Sequence, residues 1–400
     1  MEAHCYMTAA LDTKKDYLDV VRSLAKEFEK TAVERDKRGG TAKTERDLFR
    51  QSGLLALITP KSLGGYGENL KTVLQLTREI AKADGSMAHL FGYHFLCLKS
   101  VHLYGSPEQA EKYEKETVDK NLFWGNTFNP RDENVVVQQV GNQWVVNGKK
   151  SFCSGAQDSD RLLLSAKNPE KETPFIATIP TNRRGIVVKG DWDSFGQRQT
   201  DSGTVIFQNV LIEKDEVLDF YEQEPKSFFP TIRTHTAQSI LTHVLLGVAE
   251  GAFKAAKEYT KTITRPWITS GAETAANDPY NLHHYGELFV GLQAASALAD
   301  LAAESLKDAW NKEVSITEQE RGECGIIVAA AKVITAKTAL KVTSHMFEVM
   351  GARATAGKYR FDRFWRNVRT HTLHDPIDYK IRDIRYSVLN ERLPEITPYS

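Results

Sequence analysis

Val135-Val136-Val137-Gln138-Gln139-Val140-Gly141-Asn142-Gln143-Trp144-Val145-Val146-Asn147-Gly148 reads as short β-rich runs parted by turn residues. From about Asn126 to Ile212 the pattern keeps a period of two. Leu162-Leu163-Leu164, Phe175-Ile176-Ala177 and Thr204-Val205-Ile206-Phe207 are further runs. Gly141-Asn142, Asn147-Gly148, Asn168-Pro169 and Arg184-Gly185 supply turns between them. The intervals leave no room for crossover helices, so an antiparallel barrel or sandwich is expected rather than a parallel sheet.

Helical periodicity flanks this region on both sides. Tyr17, Val21, Leu24 and Phe28 form one apolar stripe among Lys26, Glu27, Glu29 and Lys30. Gly53 suits a helix C-terminal cap, Pro60 forbids propagation, and Gly64-Gly65-Tyr66-Gly67 reads as a turn before a helix from about Leu70 to Ala83. No Lys-Ser/Thr follows that glycine loop at P-loop spacing, so it is no phosphate cradle. Beyond Pro230, Ile326, Val333, Leu340 and Phe347 recur every seven residues as in a packed bundle helix, with Thr317 and Glu320 as its capping box. Pro266, Gly271 and Pro279 break the pattern between Arg265 and Asn281, which reads as a lid or binding loop. The fold class is therefore α+β, mainly α. The expected domains are 1–121 (helical), 122–228 (β) and 229–400 (helical bundle).

The 400 residues carry 52 Lys+Arg and 52 Asp+Glu, so no charge imbalance favours nucleic acid or an anionic membrane. Cys5, Cys97, Cys153 and Cys324 lack Cys-x-x-Cys spacing, against a zinc site or redox dithiol. No apolar run approaches the ~20 residues of a membrane span, and the charged N-terminus lacks a signal-peptide core. A reduced, cytoplasmic enzyme is expected.

Several local motifs add to the order helices, β-region, helices. Gly53-Leu54-Leu55-Ala56-Leu57-Ile58-Thr59-Pro60 with Gly64-Gly65-Tyr66-Gly67 resembles the N-terminal signature of the acyl-CoA dehydrogenase superfamily. Phe195-Gly196-Gln197-Arg198-Gln199-Thr200-Asp201-Ser202-Gly203-Thr204-Val205 resembles its mid-barrel motif, and Gly247 and Arg265 match its flavin-phosphate helix and arginine. The resemblance covers essentially the whole chain. It implies an N-terminal helical domain, a central antiparallel β-barrel and a C-terminal four-helix bundle.

Within that superfamily the chain resembles the flavin-dependent monooxygenase branch, in particular the dibenzothiophene monooxygenases and related desulfurisation enzymes. His89-Leu90-Phe91-Gly92-Tyr93-His94, Trp124-Gly125-Asn126, Ser154-Gly155-Ala156, Thr264-Arg265-Pro266-Trp267, Asp278-Pro279-Tyr280 and Arg369-Thr370-His371-Thr372-Leu373-His374-Asp375-Pro376 carry the likeness. The branch implies FMN, used as FMNH2 from a separate NAD(P)H-dependent flavin reductase, dioxygen as co-substrate and a homotetramer. FAD is the alternative cofactor. By position, Tyr93, Asn126, Ser154 and His374 face the flavin ring and bound oxygen with His89 beside them, and Arg265 and Arg353 hold the FMN phosphate. Cys153 is a one-residue register alternative to Ser154. His371 and His374 stand where the dehydrogenases keep a tyrosine and the catalytic glutamate.

That replacement bears on the reaction. Removing an α-proton from a thioester needs a carboxylate, and residues 225 to 249, the other place the superfamily keeps one, contain no Asp or Glu. An imidazole, with an unperturbed pKa of ~6.5, can instead serve a flavin C4a-peroxide as proton donor or hydrogen-bond partner. The expected reaction is oxygen transfer to a small organosulfur compound, a dibenzothiophene-type sulfide or sulfoxide or an alkyl sulfone. The alternatives are N-hydroxylation of an amine, FAD-dependent acyl-CoA dehydrogenation, and a catalytically dead structural member.

Plainer readings stand beside each residue. His374 could merely cap or pack the bundle, and His371, His374 and Asp375 could ligate a metal, although Pro376 disturbs that helix and no third local ligand is evident, so no metal is expected. His89 and Tyr93, four apart on one helical face, could be satisfied core groups. Arg265 and Arg353 could be solvated charges at helix ends, and Arg198 a structural ion-pair partner. Trp267, Phe128 and Tyr280 are candidates to stack on an aromatic substrate or to anchor loops that close the pocket. Thr127-Phe128-Asn129-Pro130-Arg131 departs from the desulfurisation pattern.

Overall fold

The computed structural model describes residues 14–129, 131–132, 134–141, 143–171, 173–218 and 227–400. Cys5, Asn142 and Pro130, named above, lie outside the described residues. The N-terminal helices are α1 (Lys14–Arg38), α2 (Lys43–Gln51), α3 (Leu70–Ala81), α4 (Gly85–Tyr104) and α5 (Pro107–Lys120). The stripe Tyr17, Val21, Leu24 and Phe28 is buried as its spacing predicts. Gly53 follows α2 with φ 73°, and Asn69 caps α3 by accepting from the Thr72 amide at 3.2 Å. Buried side chains surround α4 on all sides, so it is the central helix of this layer rather than an amphipathic surface one.

Seven strands follow: β1 (Trp124–Thr127), β2 (Val136–Val140), β3 (Gln143–Lys150), β4 (Arg161–Ala166), β5 (Phe175–Pro180), β6 (Ile186–Val188) and β7 (Val205–Ile212). They form two sheets, β1-β4-β5 and β2-β3-β7-β6. Val137, Val146, Leu164, Ala177 and Phe207 fill the core between them, while Trp124, Leu163 and Ile176 point the other way into the helical core. The alternation along β4 thus joins the two cores, which is why every residue of β4 is buried.

Two β expectations are corrected. β1 pairs with β4 in parallel, Trp124 against Arg161 through Thr127 against Leu164, because the β2–β3 hairpin of the other sheet serves as the crossover. Asn147-Gly148 is no turn but lies inside β3, at a register shift against β7. Gly148 has φ 126°, and a Cβ there would sit 1.9 Å from the Asn134 carbonyl oxygen.

The C-terminal helices are α6 (Ile232–Thr262), α7 (Pro279–Lys312), α8 (Glu318–Met350), α9 (Asp362–Thr372) and α10 (Ile377–Asn390). α6, α7 and α8 make three members of a bundle, and α9 with α10 makes a fourth, broken at Leu373–Pro376. The Thr317–Glu320 capping box opens α8. Its buried seam, however, is Cys324, Val328, Ala331, Thr335, Ala339, Val342 and Met346. Ile326, Val333, Leu340 and Phe347 flank that seam and are only half-buried, since small residues let the bundle axes approach. The expected loop runs from 263 to 278. Pro279 begins α7 instead of breaking it, because the first helical position needs no amide hydrogen and Asp278 caps the Tyr280 amide at 2.9 Å.

Gly247 lies where α6 crosses α3. A Cβ there would stand 2.2 Å from the Arg78 carbonyl oxygen, so the residue works here as a close-packing glycine. Gly247→Ala is expected to cost about 1–3 kcal/mol by overpacking, read as a lower urea midpoint at unchanged m-value. Gly357→Ala, with open space around it, serves as the unaffected control.

Candidate functional site

One face of α4 carries His89, Tyr93, Cys97 and Ser100, one turn after another. The His89 and Tyr93 rings stack with centroids 4.0 Å apart, and the His371 ring of α9 lies 5.0 Å from His89. Both His89 ring nitrogens are buried without a hydrogen-bond partner among the described residues. An interior imidazole with two idle nitrogens is a ligand-ready group, because a purely structural histidine finds a partner for at least one. His371 holds its Nδ1 3.3 Å from the Gln197 amide nitrogen, and Gln197 is itself fixed by its backbone amide donating to Asn367 at 2.7 Å.

β1 brings Asn126 to the same place. Its backbone amide donates to the Ser154 carbonyl at 2.9 Å. Ser154 follows a distorted stretch in which Phe152 has φ 55°. Cys153 turns into the core between the sheets, while the Ser154 hydroxyl lies 2.8 Å from Ser202, which meets Thr200 at 2.8 Å.

His374 occupies the break between α9 and α10, with its amide donating to the His371 carbonyl at 3.1 Å. Its ring is exposed in the single chain and lies 6.2 Å from Tyr399. Asp375 beside it is not free to ligate: it pairs with Lys380 at 3.1 Å and accepts from Gln238 at 2.9 Å. Among the described residues no three His, Cys, Asp or Glu side chains form a metal-binding group.

Electrostatics correct one expectation. Burial, then His374, pushes the His89 pKa down to about 3. Burial, then His89, His374 and Lys332, holds His371 well below its ordinary value. Loss of hydration among the surrounding atoms, then Lys332 and Lys380, lowers His374 to about 3. Exposure of that ring softens the shift without reversing its sign. These imidazoles are therefore neutral hydrogen-bonding groups near pH 7, not half-protonated acids. Burial raises the Tyr93 phenol, which stays protonated.

Sequence reasoning passed over Arg233. Its Nε donates to Ser100 Oγ at 2.9 Å, its Nη2 to Asn126 Oδ1 at 3.2 Å, and its guanidinium lies 3.9 Å from the Phe128 ring centroid. The available signal was its being the lone charge between Ser227 and Ala249. Gln197, Ser202, Lys332 and Tyr399 were likewise missed as neighbours, because only the tertiary fold brings them in.

Arg265 and Arg353 are not near this cluster within one chain. Both are exposed at the far end of the bundle, where the Thr264 hydroxyl donates to the Met350 carbonyl at 3.1 Å. Ile240, which touches α4 at Gly92, lies 22 residues before Thr262 on α6, or roughly 33 Å along the helix. Trp267 and Tyr280, 73% and 75% exposed, belong to that far end too. Of the three aromatic candidates, Phe128 alone lies away from that end, against Arg233 and Tyr104. Arg198 makes no ion pair among the described residues; its Nε donates to the Asp36 backbone carbonyl at 2.7 Å, since the Asp36 carboxylate is held by Arg360 and Arg366.

The sequence matches the acyl-CoA dehydrogenase N-terminal domain over residues 12–120, the middle domain over 129–210 and the C-terminal domain over 239–379. It is 44% identical to the probable FMNH2-dependent monooxygenase SfnC of Pseudomonas putida, over 98% of this chain and 100% of that one. The structure of methanesulfinate monooxygenase MsuC from Pseudomonas fluorescens superposes with TM-score 0.93 at 46% identity, covering 96% of this chain and 99% of that one. TdsC from Paenibacillus sp. A11-2, a dibenzothiophene monooxygenase solved with FMN and indole, superposes with TM-score 0.92 at 41% identity over 96% and 100% of the two chains.

The lowered histidine pKa values fix the sign of the acid response. Between about pH 6.5 and the lower native values, the unfolded chain binds protons that the native one refuses. Stability is therefore full above about pH 6.5 and is lost as pH falls below it. His89→Gln is expected to reduce that slope by about one proton, or about 1.4 kcal/mol per pH unit, in urea titrations between pH 7 and pH 5. An unchanged slope means His89 titrates alike in both states.

Proposed function

This chain belongs to the acyl-CoA dehydrogenase family, and on that premise we propose that it is a two-component, FMNH2-dependent monooxygenase acting on a small organosulfur compound. One observation carries the reading. Asp375, the carboxylate next to His374, is committed to Lys380 and Gln238. With no carboxylate free, and with the His89 imidazole lowered to about 3 and His374 lowered too, the site lacks a base strong enough for a thioester α-proton.

The residues fit a flavin. His89 offers two unpartnered ring nitrogens, and Tyr93, Asn126 and Ser154 border the same space with neutral donors and acceptors. When bound, reduced FMN supplies two electrons to dioxygen and makes one oxygen atom available for transfer. The chain's part is to hold that chemistry dry and hydrogen-bonded. Tyr93 keeps its proton, His374 and Ser154 donate at neutral pH without releasing charge, and the apolar wall of α4 excludes water.

The reading includes a separate NAD(P)H-dependent flavin reductase and a cytoplasmic setting where NAD(P)H is supplied. Desulfurisation of organosulfur compounds is the corresponding physiological role. No helix among the described residues is long and apolar enough to cross a membrane. It also includes a homotetramer divided, within each chain, near residues 121 and 228. Exposed Phe289, Val290 and Leu301 on α7 leave apolar surface for a partner copy. The distance between Arg265 or Arg353 and the histidines exceeds the reach of one FMN, so the phosphate arginines serve a site on another subunit.

Two measurements test this. With reductase, NADH and oxygen-18, His374→Ala is expected to lower labelled product by about 100-fold while oxygen uptake continues and emerges as hydrogen peroxide. An unchanged product-to-peroxide ratio removes His374 from the site. Co-expressed His374→Ala and Arg265→Ala chains, each inactive alone, are expected to regain activity in mixed oligomers, since some sites then hold both native residues. No recovery means that each chain's arginine serves its own site.

A further inference from the structure

Lys332 is a cation where a helical bundle ordinarily keeps an apolar side chain. It stands on α8 between Val328 and Thr335, both on the buried seam, and is itself fully buried. Among the described residues no carboxylate comes within ion-pair distance of it. Its ammonium donates instead to Gln238 Oε1 on α6. Desolvating an ammonium for one neutral acceptor is costly, so packing alone does not account for this residue.

The bond continues beyond Gln238. The Gln238 amide donates to Asp375 Oδ2 at 2.9 Å, and Asp375 pairs with Lys380 of α10 at 3.1 Å. All four side chains are buried, and they carry two positive charges against one negative. Each link has one direction, because an ammonium only donates: Gln238 must turn its oxygen to Lys332 and its nitrogen to Asp375. Asp375 is the side chain that ties the break Leu373–Pro376 to α6 and α10. It directly follows His374 and lies four residues after His371.

We propose that Lys332 is a positioning residue for oxygen transfer: through Gln238 and Asp375, its positive charge holds the break between α9 and α10 so that His371 and His374 meet the flavin site in fixed orientation. The inference rests on the monooxygenase reading and deepens it. A neutral lysine amine donates more weakly than an ammonium, so loss of the Lys332 proton loosens Gln238, and Asp375 with it.

The surroundings make Lys332 the group that titrates in the working range. Burial, opposed by Asp375 and assisted by Lys380, lowers it to about 8. Burial holds His235 of α6 and His371 of α9 well below their ordinary value, and His374 is lowered too. Arg321, on α8 itself, is lowered by burial to about 10, and burial raises Tyr399. On α10, Asp383 pairs with Arg382 at 3.1 Å.

The test is the ratio of oxygen-18-labelled product to hydrogen peroxide from pH 6.5 to 9.5, with photoreduced FMN and with dibenzothiophene or methanesulfinate. In wild type the ratio is expected to fall about 10-fold as pH rises through the Lys332 value. Lys332→Met is expected to show the low ratio at every pH with reduced FMN affinity unchanged, and Lys332→Arg, charged throughout, to keep it high. Gln238→Leu, which cuts the link but leaves both charges, lowers it as well. Urea unfolding of the flavin-free protein gives a second readout. An unfolded lysine keeps its proton to ~10.4, so between pH 8 and pH 10 wild-type stability rises more steeply than that of Lys332→Met, by one proton. Should Lys332→Met fail to fold, Gln238→Leu and the wild-type pH step carry the comparison. A Lys332→Met protein that keeps the wild-type ratio or the step, equal slopes in urea, or an unaltered ratio in Gln238→Leu overturns the proposal alone. A wild type that labels no organosulfur compound overturns the monooxygenase reading and this proposal with it.

Discussion

A helix buried on every side cannot leave its polar side chains idle without cost, and α4 is such a helix. His89, Tyr93, Cys97 and Ser100 form a polar strip inside an otherwise apolar core. Any fold that buries them must bring partners to that strip or leave a space for a ligand. This protein does both. α6 delivers Arg233 to Ser100, β1 delivers Asn126 to Arg233, and α9 delivers His371 to the edge of His89. The two ring nitrogens of His89, unpartnered among the described residues, mark one place where the protein stops satisfying itself.

The same burial decides protonation. Imidazoles are usually valued for titrating near neutrality, yet burial, then His374, pushes His89 down to about 3, and nearby Lys332 and Lys380 help to lower His374. The site is thus lined by neutral donors and acceptors with net positive surroundings from Arg233 and Lys332, the latter buried and bonded to Gln238. Such a setting is poor at removing a proton from carbon. It is suited to holding a reactive oxygen species hydrogen-bonded without surrendering a proton to it, and to attracting an anion.

Length imposes the remaining constraint. α6 is a single rod of 31 residues that carries Arg233 at one end and leads to Arg265 at the other. Because a helix rises only about 1.5 Å per residue, residues that look like parts of one site in a linear motif list are held far apart. The exposed Trp267 and Tyr280 share the distant end with Arg265. The separation is a property of the fold itself, and the proposed reading answers it by giving the arginines and the histidines to sites in different copies.

Much was legible in the sequence. The period-two runs between Asn126 and Ile212, the apolar stripe of α1, the capping box at Thr317 and the proximity of His89 to Tyr93 all follow from local spacing, because strand and helix periods place neighbours without tertiary information. The parallel pairing of β1 with β4, the bulge at Gly148 and the true seam of α8 were not legible. Pairing partners and covered faces depend on what packs opposite, which no local window contains. The division is sharpest at the site. Residue types and the missing carboxylate were set by sequence alone, whereas the convergence of Arg233 on Asn126, the burial of Cys153 between the sheets and the neutrality of His89 were decided by burial and long-range contact.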